Sequence, residues 1–288
     1  MNSTTLIYLI LNGLTLGLIY MLVALGLTLI FGIMDILNFA HGEIYMLGAF
    51  STYYLSEIYG LNYFIAVPCS IVLMGLFGIF IDRFLLKPVK RELLPGAIIS
   101  LGLIMILQSS ALISFGADDK AISFPISGVI TFMGTRMSAT RLMVSLLCVG
   151  LVMGLFVFIK FTKVGQSMLA VAQDKDIAVS LGINTDRTSS LCMAIGCAMA
   201  AAAGSLMGPL LSVNPYMGIS PLLKSFIIVV VGGLGSIMGT VIAALILGFV
   251  DSFVTFFTDA SMATILGFAI VILILLIRPS GLMGHVQK

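Results

Sequence analysis

The sequence has little charge for its length. Aspartate, glutamate, lysine and arginine make up 9% of its 288 residues, whereas hydrophobic residues make up 60%. A soluble globular domain usually carries about 25% charged residues, which it needs to cover its surface. The composition therefore excludes a soluble enzyme, a disordered chain and a secreted disulfide scaffold. Together with a mean hydropathy of +1.21, it indicates an all-α polytopic membrane protein.

Residue types that carry chemistry are also scarce. The two histidines, His41 and His285, are too few for a histidine-based zinc site or a catalytic triad. All four cysteines lie inside apolar stretches, where cysteine usually behaves as a small buried hydrophobe. The Gly-x4-Gly-Lys-Ser/Thr motif of ATP-binding loops does not occur. We predict no catalytic residue, metal or cofactor on this chain, so any ATP and Mg²⁺ must be bound by another subunit.

Apolar runs are abundant, and a helix of about 20 apolar residues crosses a bilayer. The runs lie at 6–33, 36–55, 62–82, 95–115, 142–160, 190–211, 219–231, 237–254 and 261–277. The run 219–231 is too short for an ordinary span, and Pro221 and a glycine-rich stretch border it, so we predict a short or broken helix there. This gives about eight to nine transmembrane segments in a single membrane domain over residues 1–288.

Several glycine pairs are spaced four residues apart. They are Gly13/Gly17, Gly150/Gly154, Gly204/Gly208 and Gly235/Gly239. Small residues at this spacing let two helix backbones approach closely inside a membrane. We therefore predict that these pairs lie where helices pack against each other.

Most basic residues fall in three segments. These contain Arg83, Lys87, Lys90 and Arg91; Lys160, Lys163, Lys175 and Arg187; and Arg278 with Lys288. Basic residues near helix ends stay in the cytoplasm. The rule places the N-terminus outside and the C-terminus in the cytoplasm, provided that the short run 219–231 counts as a crossing. No basic residue precedes Arg83, so we do not expect the first run to be a cleavable signal peptide.

The loop 116–141 then lies on the outer side, although it contains Lys120, Arg136 and Arg141 against the sign rule. Residues 122–132 of this loop alternate between apolar and polar types, which predicts a small β-ribbon. The net charge of only +2 gives no indication of a nucleic-acid partner.

A polar patch interrupts the second run, where Asn38, His41 and Glu43 lie among apolar residues. Ionisable groups at membrane depth are costly and usually face a cavity or a partner. Two interpretations stay open and are compatible: a junction between helices with Asn38 as N-cap, or the polar lining of a substrate path. Gln108 either lines the same path or makes an interhelical hydrogen bond. Asp251 lies near the end of its run and is interpreted as interfacial.

The loop 160–190 is predicted to form a short cytoplasmic helix pair. Residues 166–182 favour a helix that Gly182 closes, and Thr185 or Asp186 can cap the next helix. Apolar patches flank the polar residues 173–176 in this stretch. Its acids and shortage of basic residues disfavour binding to anionic lipid. The stretch therefore indicates a surface that docks onto another protein.

Six segments of the chain together resemble a known family. They are Gly26-Leu-Thr-Leu-Ile-Phe-Gly32, Asn38-Phe-Ala-His-Gly-Glu43 through Gly48, Leu101-Gly-Leu-Ile-Met-Ile-Leu-Gln108, Ala170-Val-Ala-Gln-Asp174 through Asn184, Val231-Gly-Gly-Leu-Gly-Ser236 and Arg278-Pro-Ser-Gly-Leu282. In this order and spacing they resemble the LivH-type permease subunits of branched-chain amino acid ABC importers, over essentially the whole chain.

The resemblance implies a bacterial inner-membrane permease that docks an ATPase through its cytoplasmic loop. Its partners would be a related permease subunit or a second copy, two ATPase subunits that bind ATP and Mg²⁺, an external substrate-binding protein and membrane lipid. Importer loops carry an EAA-x3-G pattern, which Asp176-Ile177-Ala178-x3-Gly182 approaches. The residues expected to couple to the ATPase are Gln173, Asp174, Asp176, Ile177, Ala178, Leu181 and Gly182.

For the substrate path we hypothesise that Asn38, His41, Glu43 and Gln108 supply polar groups, because a zwitterion is costly to desolvate. Two alternatives remain. The permease could carry urea, a short amide or another amino acid within the same class. It could also be a secondary transporter in which Glu43, His41 and Asp251 relay protons.

Overall fold

The computed structural model describes residues 3–89, 91–126, 128–132 and 135–283. The helices in these residues are α1 (Ser3–Met34), α2 (His41–Tyr53), α3 (Tyr63–Ile81), α4 (Leu93–Phe115), α5 (Ala139–Phe161), α6 (Lys163–Gln173), α7 (Lys175–Ser180), α8 (Thr185–Met207), α9 (Ile219–Gly232), α10 (Ile237–Phe257) and α11 (Ala260–Ile277). A hairpin of β1 (Val129–Phe132) and β2 (Thr135–Ser138) precedes α5.

All nine predicted apolar runs correspond to helices. Seven of these helices are long and apolar enough to cross a membrane, and α9 is a shorter apolar helix. The prediction of an all-α polytopic membrane protein is therefore confirmed. The helices α6 and α7 lie in the predicted cytoplasmic loop 160–190.

The helix α1 forms the centre of the bundle. It packs against α5, α8, α9 and α10, and every one of its residues from 17 to 30 is buried. A helix that is apolar all round is stable only where protein or lipid surrounds it. By contrast, α4 and α11 bury only a few of their residues against this chain.

Glycines set the closest helix contacts. A Cβ built at Gly248 would overlap the backbone of Gly17, and one built at Gly204 would overlap the carbonyl group of Tyr45. The prediction of close helix packing is confirmed for the pair 13/17 and for Gly204 and Gly239, whereas Gly208 packs against Ile122 of the loop 116–141 and Gly235 lies in the turn before α10. It is wrong within this chain for the pair 150/154, since nothing lies within 4 Å of a Cβ built at either position.

The helix in the second predicted run, 36–55, begins later than predicted. Residues 35–40 are not helical, Asp35 has a φ of 54°, and α2 begins only at His41. The N-cap of α2 is Ala40, so the prediction of Asn38 as N-cap is wrong. The Asn38 side chain instead accepts a hydrogen bond from the Ala40 amide, with an N–O distance of 3.2 Å.

The two short helices α2 and α9 meet inside the bundle. A Cβ built at Gly42 would overlap the carbonyl group of Gly218, which is the N-cap of α9. The Phe39 and Phe226 rings lie beside each other, with centroids 5.1 Å apart. Short helices that meet at membrane depth leave irregular backbone there, which is tolerated only when protein buries it or a cavity adjoins it.

The segment 208–218 and α9 together cross the bundle. Val213 pairs with Lys120 of the loop 116–141 at one end. At the other end Gly232 and Gly233 lie against Gly239 and Gly281. The run 219–231 covers only part of this path, and its status as a membrane crossing together with 208–218 stays a prediction.

This crossing puts the three basic segments at the same end of the bundle, which we call the basic end. Lys90 and Lys288 of these segments lie outside the described residues. The opposite end holds the loop 116–141 and the start of α1.

The loop 116–141 does contain a β-ribbon, but it is displaced from the predicted position. The strand β1 begins at Val129 and pairs in antiparallel register with β2, Val129 facing Ser138. The alternating pattern that starts at Ile122 has a different cause. Ile122 is buried beside Gly208 and so anchors the loop on the end of α8.

Candidate functional site

The four polar residues predicted for the substrate path lie in the interior. Asn38, His41 and Glu43 are at most 2% exposed, and Gln108 is partly buried. Each has a buried polar atom without a hydrogen-bond partner among the described residues: Asn38 Nδ2, His41 Nδ1, Glu43 Oε2 and Gln108 Nε2. Buried polar groups in proteins are nearly always hydrogen-bonded. Four unpaired atoms on these residues therefore call for water, a substrate or another chain as partner.

His41 lies at the contact between α1 and α2. Its Nε2 atom is 3.1 Å from the carbonyl oxygen of Val23, and its ring packs against Gly26. Nε2 must then carry the proton, because a carbonyl oxygen can only accept a hydrogen bond. The unpaired Nδ1 atom is left as an acceptor.

Glu43 of α2 and Gln108 of α4 lie between two contacts that join these helices. The Phe39 amide donates a hydrogen bond to Ser100 Oγ at 3.1 Å, and the Phe50 and Phe115 rings stack with centroids 4.4 Å apart. These contacts align the start of α2 with the first half of α4, and the end of α2 with the end of α4. Glu43 and Gln108 fall between the two contacts.

A buried ionic cluster was missed from the sequence. Lys224 of α9 forms an ion pair with Asp251 of α10, and Tyr20 of α1 donates a hydrogen bond to Asp251 Oδ2 at 2.6 Å. Lys224 also donates to the Tyr20 hydroxyl at 3.0 Å. Asp251 is 3% exposed, so its interpretation as interfacial is wrong. The available signal was a lone lysine in one apolar run and a lone aspartate in another, since opposite charges at membrane depth usually pair.

The loop 160–190 does form a pair of short helices, but the stretch 166–182, which was predicted as one helix, is divided between α6 and α7. Asp174 has an extended backbone that ends α6, and its Oδ1 accepts hydrogen bonds from the Asp176 and Ile177 amides at 2.9 Å each. Asp174 is thus the N-cap of α7. Gly182, with a φ of 81°, turns the chain after α7 as predicted. The N-cap of α8 is Asn184 and not Thr185 or Asp186.

The helix α7 presents apolar side chains outward. Ile177, Val179 and Leu181 are 59%, 54% and 74% exposed, whereas Ala178 is 1% exposed and holds α7 on the bundle. The remaining residues predicted to couple to the ATPase, Gln173, Asp174, Asp176 and Gly182, are also exposed. We call residues 173–182 the coupling surface.

A charged network fixes the chain next to the coupling surface. Arg91 donates two hydrogen bonds of 2.9 Å to the Asp82 carboxylate at the end of α3, and a third of 2.7 Å to Asp186 in the first turn of α8. Lys87 pairs with Asp186 at 2.8 Å, and Ser190 donates to Asp82 at 2.5 Å.

This network joins the helix that follows the coupling surface to α3. Partial burial by itself would lower the pKa of Arg91, but its hydrogen bonds to Asp82 and Asp186 raise that pKa above its ordinary value. The guanidinium therefore stays charged.

A cavity of about 300 Å³ lies at the opposite end of the bundle. It is lined by Tyr8, Arg136, Met137, Ser138, Thr140, Arg141, Pro209 and Leu210, and we call it the arginine cavity. None of the four predicted path residues lines it. Among the described residues, no three His, Cys, Asp or Glu side chains lie close enough together to hold a metal ion.

Nearly the whole chain is similar to known transport permeases. Residues 9–276 match the family described as branched-chain amino acid transport system, permease component. The high-affinity branched-chain amino acid transport system permease protein LivH of Escherichia coli K12 is 34% identical, over 95% of this chain and 94% of its own. The corresponding protein BraD of Pseudomonas aeruginosa is 31% identical over the same shares. LivM of Escherichia coli K12 is 25% identical, over 93% of this chain and 68% of its own. No solved structure matches the chain.

Proposed function

The chain belongs to the branched-chain amino acid transport permease family, and from this premise we propose that it is the membrane permease subunit of an ATP-driven importer of branched-chain amino acids. The observation that carries the proposal is the coupling surface. It is a capped helix with exposed apolar side chains, and it lies at the basic end of a bundle of membrane-spanning helices. An exposed apolar patch with a polar rim is typical of a protein–protein contact.

We propose that two ATPase subunits, which bind ATP and Mg²⁺, dock on the coupling surfaces of a permease pair. Similarity to both a LivH and a LivM permease supports pairing with a related subunit, and a pair of identical copies is the alternative. An external substrate-binding protein would deliver the amino acid. Basic residues favour the cytoplasmic side of a membrane. The basic end would therefore face the ATPases in the cytoplasm, and the N-terminus would lie on the outer side of the bacterial inner membrane.

The substrate path is proposed to run along Asn38, His41, Glu43 and Gln108. Carrying a zwitterion through hydrocarbon would leave two charges unsolvated, each at a cost of several kcal/mol. The unpaired polar atoms of these four residues would solvate it, together with water and the partner subunit. Aliphatic walls would accommodate a branched side chain.

ATP-driven closure would act through the charged network. Movement of α6 and α7 would be transmitted by Arg91 from the start of α8 to α3. Both α3 and α8 pack against α2, which carries His41 and Glu43. A shift of these helices would open the path alternately to the two sides.

A proton relay through Glu43, His41 and Asp251 is less well supported. Asp251 forms an ion pair with Lys224 and accepts a hydrogen bond from Tyr20, and its polar contacts among the described residues do not include Glu43 or His41. Import of urea, a short amide or another amino acid would use the same architecture, and only uptake assays with each substrate distinguish these cargoes.

The test uses the complete transporter in proteoliposomes. Gly182→Val should abolish ATP-dependent leucine uptake, because an L side chain at a φ of 81° is strained and would disturb the end of the coupling surface. Gly60→Val is the matched control, since Gly60 has a φ of 69°, open space around it and a position at the opposite end.

Asp174 gives a second pair of variants. Asp174→Ala removes the N-cap of α7 and should reduce uptake strongly, whereas Asp174→Asn keeps a capping oxygen and should retain most of it. Wild-type uptake by both Gly182→Val and Asp174→Ala would contradict the coupling assignment.

A further inference from the structure

The arginine cavity combines two positive charges with no negative one. Arg136 and Arg141 both line it, and no Asp or Glu does. Among the described residues, neither arginine has a carboxylate within ion-pair distance. Basic residues are unexpected at this end of the bundle, because the other basic segments lie at the basic end. Two uncompensated guanidinium groups create a positive potential that attracts an anion.

Arg141 is held in place by neutral groups. Its Nη1 atom donates to Asn12 Oδ1 at 2.5 Å and to the Tyr8 hydroxyl at 3.3 Å. Asn12 in turn donates to Ser252 Oγ at 2.9 Å, so α1 and α10 together orient the guanidinium of α5. These hydrogen bonds fix the side chain without cancelling its charge. The cavity is therefore prepared for an anion before one arrives.

Arg136 approaches from a different element. It lies in β2, where pairing with Thr131 of β1 sets its position, and it is exposed. One partly buried and one exposed guanidinium at the same cavity suit a planar carboxylate, which a guanidinium can bind with two parallel hydrogen bonds.

The charge balance selects among anionic ligands. A free amino acid brings an ammonium group as well as a carboxylate, and the lining residues offer that ammonium no acid. The cavity lies at the end of the bundle, between α1, the hairpin, the start of α5 and the segment after α8. Arg136 is exposed there, within reach of a soluble protein. An acidic side chain on a soluble protein fits both the charge and the position.

We propose that the arginine cavity receives an Asp or Glu side chain of the external substrate-binding protein and so docks that protein onto the permease. This inference rests on the proposed function, which supplies such a protein and places this end outside. Charged pairs at an interface chiefly set the association rate and its dependence on salt.

The experiment measures binding of the ligand-loaded substrate-binding protein to the complete transporter in nanodiscs, at low and high NaCl. Arg136→Glu should slow association about tenfold or more at low salt, and this difference should shrink at high salt. Arg136→Lys should change the rate far less. Lys120→Glu is the matched control, because it makes the same change of charge at the same end but outside the cavity.

Arg136 lies outside the coupling surface, so ATP hydrolysis without the binding protein should stay unchanged in Arg136→Glu. Equal association rates for wild type and Arg136→Glu would overturn the inference, as would an equal slowing by Lys120→Glu. A defect seen only with anionic lipid in the nanodisc would also overturn it and indicate a lipid headgroup instead.

A raised KM for leucine with unchanged protein association would overturn the inference in favour of a substrate site. The proposed function is judged separately, by ATP-dependent uptake in the wild type. Uptake by wild type with no effect of Arg136→Glu removes only the docking inference, whereas no uptake and no binding by wild type removes both.

Discussion

The molecule contains two ionic clusters that differ in burial. The cluster of Lys224, Asp251 and Tyr20 joins three helices deep in the bundle, and both charges are almost completely buried. The charged network around Arg91 lies at the basic end, with Asp82 fully buried and Asp186 half-exposed. The pair of Arg91 with Asp82 is about as buried as that of Lys224 with Asp251, so the two clusters differ in Asp186 and Lys87, which are half-exposed. Removing one partner from a buried pair leaves a charge without water or counter-ion, whereas water solvates an exposed partner when its pair is broken. The first cluster should therefore govern stability, and the second should govern coupling.

The largest effect is expected from Lys224→Met. This substitution leaves Asp251 buried without its counter-charge and should destabilise the folded chain by about 3–5 kcal/mol. Thermal unfolding in detergent measures the loss. The double variant Lys224→Met with Asp251→Leu removes both charges and should recover most of the stability. A double variant as unstable as the single one would show that the pair is not the cause.

A smaller loss is expected from Asp82→Asn at the basic end. Asp82 accepts two charge-assisted hydrogen bonds from Arg91. Asparagine keeps the shape and can still accept one of these bonds through its Oδ1 atom, so the expected loss is that of one such bond, about 1.5–3 kcal/mol. The unfolding temperature should therefore fall by less than in Lys224→Met. The reverse order would contradict the contrast between the two clusters.

Arg91→Lys tests whether the charged network around Arg91 acts in coupling more than in stability. Lysine keeps the charge but cannot bridge Asp82 and Asp186 with a planar fork. Stability should fall by about 1 kcal/mol, while the amount of leucine transported per ATP hydrolysed should fall clearly. Simultaneous assays of uptake and ATP hydrolysis in proteoliposomes give this ratio. An unchanged ratio would mean that the network holds the fold but transmits no movement.

The smallest effect is expected from Lys87→Ala. Lys87 and Asp186 are 48% and 53% exposed, and exposed ion pairs contribute at most about 1 kcal/mol. Unfolding temperature and uptake should both stay close to those of the wild type, and any difference should vanish in high salt. A loss comparable with that of Asp82→Asn would show that the network acts as one unit.

Much of the fold could be predicted, because span helices are apolar over their whole length. The shortness of α9 also followed from local signals, namely Pro221 and the glycines after Val231. A junction between helices was predicted around Asn38, but the extent of the non-helical segment 35–40 could not be predicted, since most of its residues are apolar and the second helix was expected to begin earlier. Tertiary contacts set it, including the packing of Phe39 against Phe226 and the hydrogen bond from the Phe39 amide to Ser100.

The candidate sites also divide into features that could be predicted from the sequence and features that could not. The position of the coupling surface followed from composition and the turn at Gly182, whereas the cap at Asp174 emerged only with the structure. The buried pair of Lys224 and Asp251 escaped because its partners lie on different helices, 27 residues apart. Asn38, His41, Glu43 and Gln108 were found because polar residues stand out in an apolar run, and their role in the path stays a prediction.

The most direct test of the central claim is photo-crosslinking from the coupling surface in membranes that contain the complete transporter. A photoreactive amino acid at position 181, where Leu181 is 74% exposed, should crosslink to a nucleotide-hydrolysing subunit. The same amino acid at position 276, where Leu276 is 79% exposed on α11, is the control and should not. Crosslinks from position 181 to lipid alone, or labelling of that position from outside the cell, would contradict the account.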